Sequence, residues 1–438
     1  EMVFYWFIGL RIDQEMETGR FNFIQQVAVP KQSVLYSRHM GLTTHMADFA
    51  GYLMPLWYSA ISREHEAVRQ AAGLFDCTHM GVLEVAGPAA LPFLNLLVTN
   101  DVSKMVVGGS QYSYILDAAG NVLDDLFLYR RGTERFMVVV NAANEPKVKA
   151  YLEALRRGNA AVDVKNPGRK LPVWPSIVDL RAEGAGAQGR VDLALQGPAS
   201  REILLSLMDS PAEREKLTAL KRGSFIETRI QGLEVLAART GYTGAEMGFE
   251  LYVEPAAAGR WWDLLLAKGA AAGLQPCGLG ARDSLRIEAG FPLYGHELAG
   301  KYDISPWEAG YGWAVKLEKE FFIGKEAMQR RQAEQSREVV RLELPGQKGV
   351  RPVREADGVL DAAGVCRGWV LSCAKVGESQ IALAYVQKGV LAAGAAAGIY
   401  YLARNAGHVQ QGRLEKVEME QKLNADIEGK AVTRFAKF

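Results

Sequence analysis

Val82-Leu83-Glu84-Val85-Ala86-Gly87-Pro88-Ala89 has a counterpart 110 positions later in Leu193-Ala194-Leu195-Gln196-Gly197-Pro198-Ala199. The first run alternates as a strand does, the second leads into the same Gly-Pro-Ala, and each then opens an apolar stretch, ending near Val98 and Met208. Glycine followed by proline is a physically sensible helix start. The likeness continues at the same offset. Leu123 to Tyr129 and Phe136 to Val140 read as a hairpin around Arg131-Gly132-Thr133, followed by a helix from Glu145 to Leu155. In the later copy Leu233 to Arg239 and Phe249 to Val253 precede a helix from Ala256 to Leu266. Two such strand–helix units pack as pseudo-symmetric halves with a ligand crevice between them.

Working outward, residues 158 to 190 between the copies are rich in Gly, Ala and Pro and read as an insertion looping over the surface. Beyond Arg337 the pattern changes to short strands with Gly turns: Val339 to Leu344, Gly368 to Ser372, Ile381 to Val386 and Leu414 to Glu418. That pattern predicts a separate β unit, a barrel. The expected organisation is an extension over 1–30, a catalytic region over 31–336 with pseudo-repeats at about 82–156 and 192–268, and a β-barrel domain over 337–438.

Composition narrows the function. Lys plus Arg number 51 against 50 Asp plus Glu, so neither a nucleic acid nor a membrane surface is expected as partner, since both favour a basic excess. The apolar runs Met2 to Leu10 and Leu391 to Leu402 are too short to span a bilayer. Four cysteines without a Cys-x-x-Cys pair fit a reducing compartment. Scattered histidines, with no His-x-His spacing, predict no metal site.

The segment Gly120-Asn121-Val122-Leu123-Asp124-Asp125-Leu126-Phe127-Leu128-Tyr129 is the most telling. Alternation puts Asp125, Phe127 and Tyr129 on one face and Asp124, Leu126 and Leu128 on the other. A carboxylate in such a strand is either satisfied by backbone donors or kept for a ligand. Asn141 ends the facing strand, where it closes a turn or reads the edge of a heterocycle. Tyr242, in the glycine-bracketed loop Arg239 to Gly244, is a buried hairpin residue or a stacking platform, and Glu250 follows close by. Gly278-Leu279-Gly280-Ala281-Arg282-Asp283 precedes a helix-like Ser284 to Ala289; it is a cap with an internal Arg–Asp pair, or an anion cradle using Arg282.

As a set, these motifs resemble the glycine-cleavage aminomethyltransferase (T-protein) family. The likeness runs through Met46-Ala47-Asp48-Phe49-Ala50-Gly51-Tyr52, Phe75-Asp76-Cys77-Thr78-His79-Met80-Gly81, Leu123-Asp124-Asp125-Leu126, Val139-Val140-Asn141-Ala142, Thr240-Gly241-Tyr242-Thr243-Gly244, Gly278 to Asp283 and Phe322-Ile323-Gly324-Lys325. The resemblance implies an α+β fold, a three-lobed cloverleaf with two pseudo-repeated α/β lobes and a C-terminal β-barrel lobe. It implies a transferase that moves an aminomethyl group from the lipoyl arm of a carrier H-protein to tetrahydrofolate, releasing ammonia, in the cytoplasm or, in a eukaryote, the mitochondrial matrix. Asp125 is then the catalytic carboxylate, and Tyr112, Tyr129, Asn141, Tyr242, Glu250 and Arg282 line the folate pocket. A sister activity, demethylation of a small methylated sulfonium or amine as one-carbon donor, uses the same pocket. At the offset of 110, Asp125 falls opposite Val235, which implies one site rather than two.

Overall fold

The computed structural model describes residues 29–171 and 174–438, so almost all of the expected extension lies outside the described residues. Two sheets dominate, the first antiparallel throughout and the second antiparallel except for one parallel pair at its edge. The first has strands in the order Ser110–Leu116, Val122–Gly132, Arg135–Val140, Gly81–Ala86, Ser176–Asp179. The second runs Phe225–Ile230, Leu233–Ala238, Gly248–Val253, Val191–Gln196, Ala72–Asp76, Leu274–Cys277. Their first four strands occur in corresponding order, so the sequence duplication is a duplication of topology.

Alternation along each strand sorts side chains into two layers. Val82, Tyr129, Met137 and Val139 of the first sheet meet Phe225, Leu236, Ala238 and Tyr252 of the second in one apolar layer. On its other face the first sheet is covered by helices Ala90–Leu97 and Glu145–Arg157, the second by Ser200–Ser206 and Pro255–Gly269, which contributes the buried Trp261 and Trp262. The order is therefore helix, sheet, sheet, helix.

The register corrects the offset. Gly81 pairs with Val140 and Val140 with Leu126; Val191 pairs with Val253 and Val253 with Val235. The shift is thus 110 in the leading strand but 109 at Leu126, so the counterpart of Asp125 is Glu234 and not Val235. The second copy does carry a carboxylate there. The loop from Arg239 to Met247, longer than its counterpart hairpin, displaces the following strand by 113. A single offset hides such loop-length differences.

Other expectations shift as well. The segment 158–190 does not merely loop over the surface: Ser176–Asp179 pairs with Gly81–Ala86 at the sheet edge, and Leu171 and Leu180 are buried. Leu414 to Glu418 is not a strand; its Leu414 and Val417 pack as a loop on a small apolar cluster while the charged residues between them face solvent. The C-terminal barrel closes instead through Ala396–Tyr400 and Ile427–Val432, joined to Arg337–Pro345, Ser379–Gln387, Cys366–Val376 and Gly358–Leu360.

The repeated Gly-Pro-Ala makes a turn just before each helix rather than its first turn: Ala90 N–H donates to Gly87 and Ser200 N–H to Gly197. Both glycines have positive φ, 101° and 120°. Their surroundings differ. A Cβ on Gly87 meets nothing within 4 Å, whereas one on Gly197 falls 2.7 Å from the carbonyl oxygens of Val68 and Ala71. Gly87→Ala should cost about 1–2 kcal/mol of backbone strain, and Gly197→Ala clearly more, read as the difference in unfolding midpoints of the two variants in urea.

Candidate functional site

Antiparallel pairing sets Tyr114 opposite Asp125 and Tyr112 opposite Phe127, so Tyr112, Asp125, Phe127 and Tyr129 share the face turned toward the second sheet. The Asp125 carboxylate accepts from Tyr112 Oη at 2.9 Å and from Asn141 Nδ2 at 2.9 Å. Asn141 can reach it because it follows Val140, the partner of Leu126, at the end of the neighbouring strand. No cation pairs with Asp125 among the described residues. Burial raises its pKa well above the ordinary carboxylate value, to about 6, while the donors from Tyr112 and Asn141 pull the other way.

Asp124, on the opposite face, answers to the other alternative left open by the sequence. It accepts from the Asn141 backbone N–H at 2.9 Å, from Asn141 Nδ2 at 2.8 Å and from Asn144 Nδ2 at 2.6 Å. Asn141 thereby straddles the two carboxylates. Burial, then the neighbouring Asp125 charge, raises Asp124 too. Lys147 approaches from the helix Glu145–Arg157, donating to Asn144 Oδ1 and to Tyr294 Oη, each at 2.8 Å. Asn144 precedes that helix, yet its side chain serves Asp124 instead of capping the helix. Sequence reading missed this network; the Asn-x-x-Asn spacing of Asn141 and Asn144 beside an Asp doublet was the available signal.

Farther along the same face, Tyr129 Oη donates to Glu250 at 3.2 Å and lies 3.0 Å from Tyr252 Oη, and Thr240 also donates to Glu250. Arg282 does not follow the expected cap. The helix starts at Leu279 and runs to Ala289, so Arg282 projects from its first turns, with Nη1 2.8 Å from Cys77 Sγ and the guanidinium 5.4 Å from the Tyr242 ring centroid. The helix-start donor from Gly278 is taken by Glu64 at 2.8 Å, and Asp283 pairs with Arg286 and not with Arg282. Tyr242 Oη donates to the Pro292 carbonyl at 2.6 Å, and burial pushes its hydroxyl up while the Arg286 charge pulls the other way. All seven predicted residues therefore belong to one region, as three contacting groups: Asp125 with Tyr112 and Asn141, Tyr129 with Glu250, and Arg282 with Tyr242.

Aromatic rings close the Asp125 end. Tyr112 stands edge-on to Phe127 and to Tyr311, and Tyr311 edge-on to Phe435 of the C-terminal tail. Trp313, more than half exposed, lies 5.9 Å from Tyr112 at the rim. Below the pocket helix, buried Arg286 pairs with Glu297 at 2.6 Å, and Ser372 of the barrel strand Cys366–Val376 donates to the same carboxylate. The counterpart Glu234 has another setting: it lines a cavity of about 460 Å³ together with Arg131, Arg190 and Arg229, and is ion-paired to Arg229 at 2.6 Å.

Among the described residues no cluster of His, Cys, Asp or Glu could hold a metal ion, and no helix is long and apolar enough to cross a membrane. The family described as the GCVT N-terminal domain matches residues 35–319. An aminomethyltransferase of Thermus thermophilus is 41% identical over 361 residues, 82% of this chain and 92% of the relative. Aminomethyltransferases of Desulfitobacterium hafniense (43%, 68% of this chain and 74% of the relative) and Halalkalibacterium halodurans (44%, 71% and 77%) are similarly related. The crystal structure of the glycine cleavage system aminomethyltransferase T from Bartonella henselae superposes with a TM-score of 0.71 at 28% identity, covering 92% of this chain and 97% of that one. The chain belongs to the GCVT family of aminomethyltransferases, the T-proteins of the glycine cleavage system.

Proposed function

We propose that the chain transfers an aminomethyl group from the lipoyl arm of the H-protein to tetrahydrofolate, releasing ammonia, with Asp125 as its catalytic carboxylate. The observation that carries the reading is Asp125 itself: a part-buried carboxylate on an apolar strand, aimed by Tyr112 and Asn141 and left without a counter-cation. Leaving it unpaired costs stability unless a ligand uses the charge.

The residues present fit a pterin. Glu250 offers a carboxylate for ring N–H groups, Arg282 donors for a ring carbonyl and Tyr242 an aromatic wall, while the fully buried Tyr129 orients Glu250 through its hydroxyl. Bound tetrahydrofolate supplies the nitrogen that accepts the one-carbon unit. Asp125 holds negative charge where cationic character develops on the transferred carbon, and accepts a hydrogen bond that raises the nucleophilicity of that nitrogen. Asn141 and Tyr112 fix its orientation. The pocket belongs to the 31–336 region, with 337–438 as the barrel domain beside it, and the reaction suits a cytoplasmic enzyme.

The test follows ammonia and methylenetetrahydrofolate from aminomethyl-loaded H-protein. Asp125→Asn should lose about 10²-fold or more in kcat, with the tetrahydrofolate dissociation constant changed far less; near-full turnover would remove Asp125 from the chemistry. If tetrahydrofolate binds but no ammonia forms, methylated sulfonium and amine donors become the substrates to screen.

The pH dependence has a definite sign. Asp125 works ionised, so activity should fall as pH drops through about 6. The Tyr112 hydroxyl stabilises the ionised form, so Tyr112→Phe should move this acid limb to higher pH. A limb that stays in place in the variant would show that another group governs it.

A further inference from the structure

One buried acid on the same face has no role in this account. Asp192 lies on the strand Val191–Gln196, where it pairs across to Tyr252 while Ala194 pairs to Glu250. Asp192 and Glu250 are thus diagonal neighbours on the face turned toward the first sheet. On the other side the Cys77 N–H donates to the Asp192 carbonyl at 3.0 Å, so Asp192 adjoins the thiol that Arg282 touches. Asp192 is 3% exposed, and its Oδ1 has no hydrogen-bond partner among the described residues.

The duplication gives the decisive comparison. The position of Asp192 in the first copy is Val82, fully buried in the apolar layer between the sheets. The fold therefore accepts a valine here and has no need of a carboxyl. A buried acid without a partner costs stability, and it sits in the copy whose sheet carries Glu250. We infer that Asp192 is a binding residue of this pocket, taking an N–H of a planar heterocycle that presents adjacent ring N–H groups and a carbonyl. The inference rests on the tetrahydrofolate reading above.

The electrostatics agree. Burial and the Glu250 carboxylate push Asp192 well above the usual carboxylate range, against the pull of Arg282. With its carboxyl pushed toward the protonated form, Asp192 can donate as well as accept. Two carboxyl groups beside one guanidinium suit the edge of a 2-aminopyrimidinone ring better than they suit a free anion, which a second carboxylate would repel. Nearby, His79 Nδ1 is also buried without a partner, and burial together with the Arg282 charge holds its imidazole neutral.

Two variants test the assignment by equilibrium binding of tetrahydrofolate, with Tm measured alongside. Asp192→Val installs the residue the first copy already uses. It should weaken binding at least about 10-fold, the loss expected when a buried ligand donor goes unmet, and leave Tm at or above the wild-type value. Asp192→Asn keeps a donor and an acceptor and should stay within about 3-fold of wild type on the same grounds. Unchanged binding by a folded Asp192→Val protein would overturn the inference. So would a lowered Tm with unchanged binding, which is the mark of a structural residue; an equal loss in Asp192→Asn would keep Asp192 as a binding residue and make its ionised form the binder. Failure of the wild-type chain itself to bind tetrahydrofolate would overturn the folate reading and this inference together.

Discussion

The apolar layer shared by the two sheets is the constraint on which the rest of the molecule depends. Each sheet has helices on its outer face, so its inner face must find cover, and the only cover of matching shape is the other sheet. Val82, Val139, Leu236 and Ala238 fill the middle of the layer. Toward one end the layer turns polar without opening fully to water, and Tyr129, Tyr252, Glu250 and Asp192 occupy that end. The pocket is thus the frayed edge of a core, which explains why Asp192 is buried there beside Glu250 on neighbouring strands.

The carboxyl groups of that region are sorted by their partners. Asp124 has three donors and is structural; Asp125 has two and faces the aromatic rim; Glu297 is neutralised by Arg286 and ties the pocket helix to the barrel. The barrel consequently takes part in positioning Arg282, because Ser372 and Glu297 hold the helix from which it projects. A rigid support of this kind lets the guanidinium face Tyr242 and Cys77 at fixed distance without an acid pinned directly to it.

Much of this was legible in the sequence, for local reasons. Alternation along one strand separates Asp124 from Asp125, and hairpin geometry brings Asn141 to them, so no long-range information is needed. The start of the pocket helix was less visible: two glycines in Gly278 to Gly280 read as a loop, but Gly278 is extended and Gly280 packs close to Ile61 and Leu56, where a side chain does not fit. Leu414 to Glu418 imitates a strand by composition alone, and the true closing strand Ala396–Tyr400 is concealed by its small residues. Asp192 and Cys77 could not be linked to Glu250 and Arg282 by any local rule, since their proximity arises from strand order.

The mirrored position of Asp125 has a consequence for how this architecture diversifies. The two copies keep an acid at the matched position in different settings: Glu234 is exposed and paired to Arg229 at the edge of a cavity that Arg131, Arg190, Glu213 and Glu227 also line. For a protein engineer, that cavity, lined by three arginines and three glutamates, is a second place in which binding chemistry can be installed.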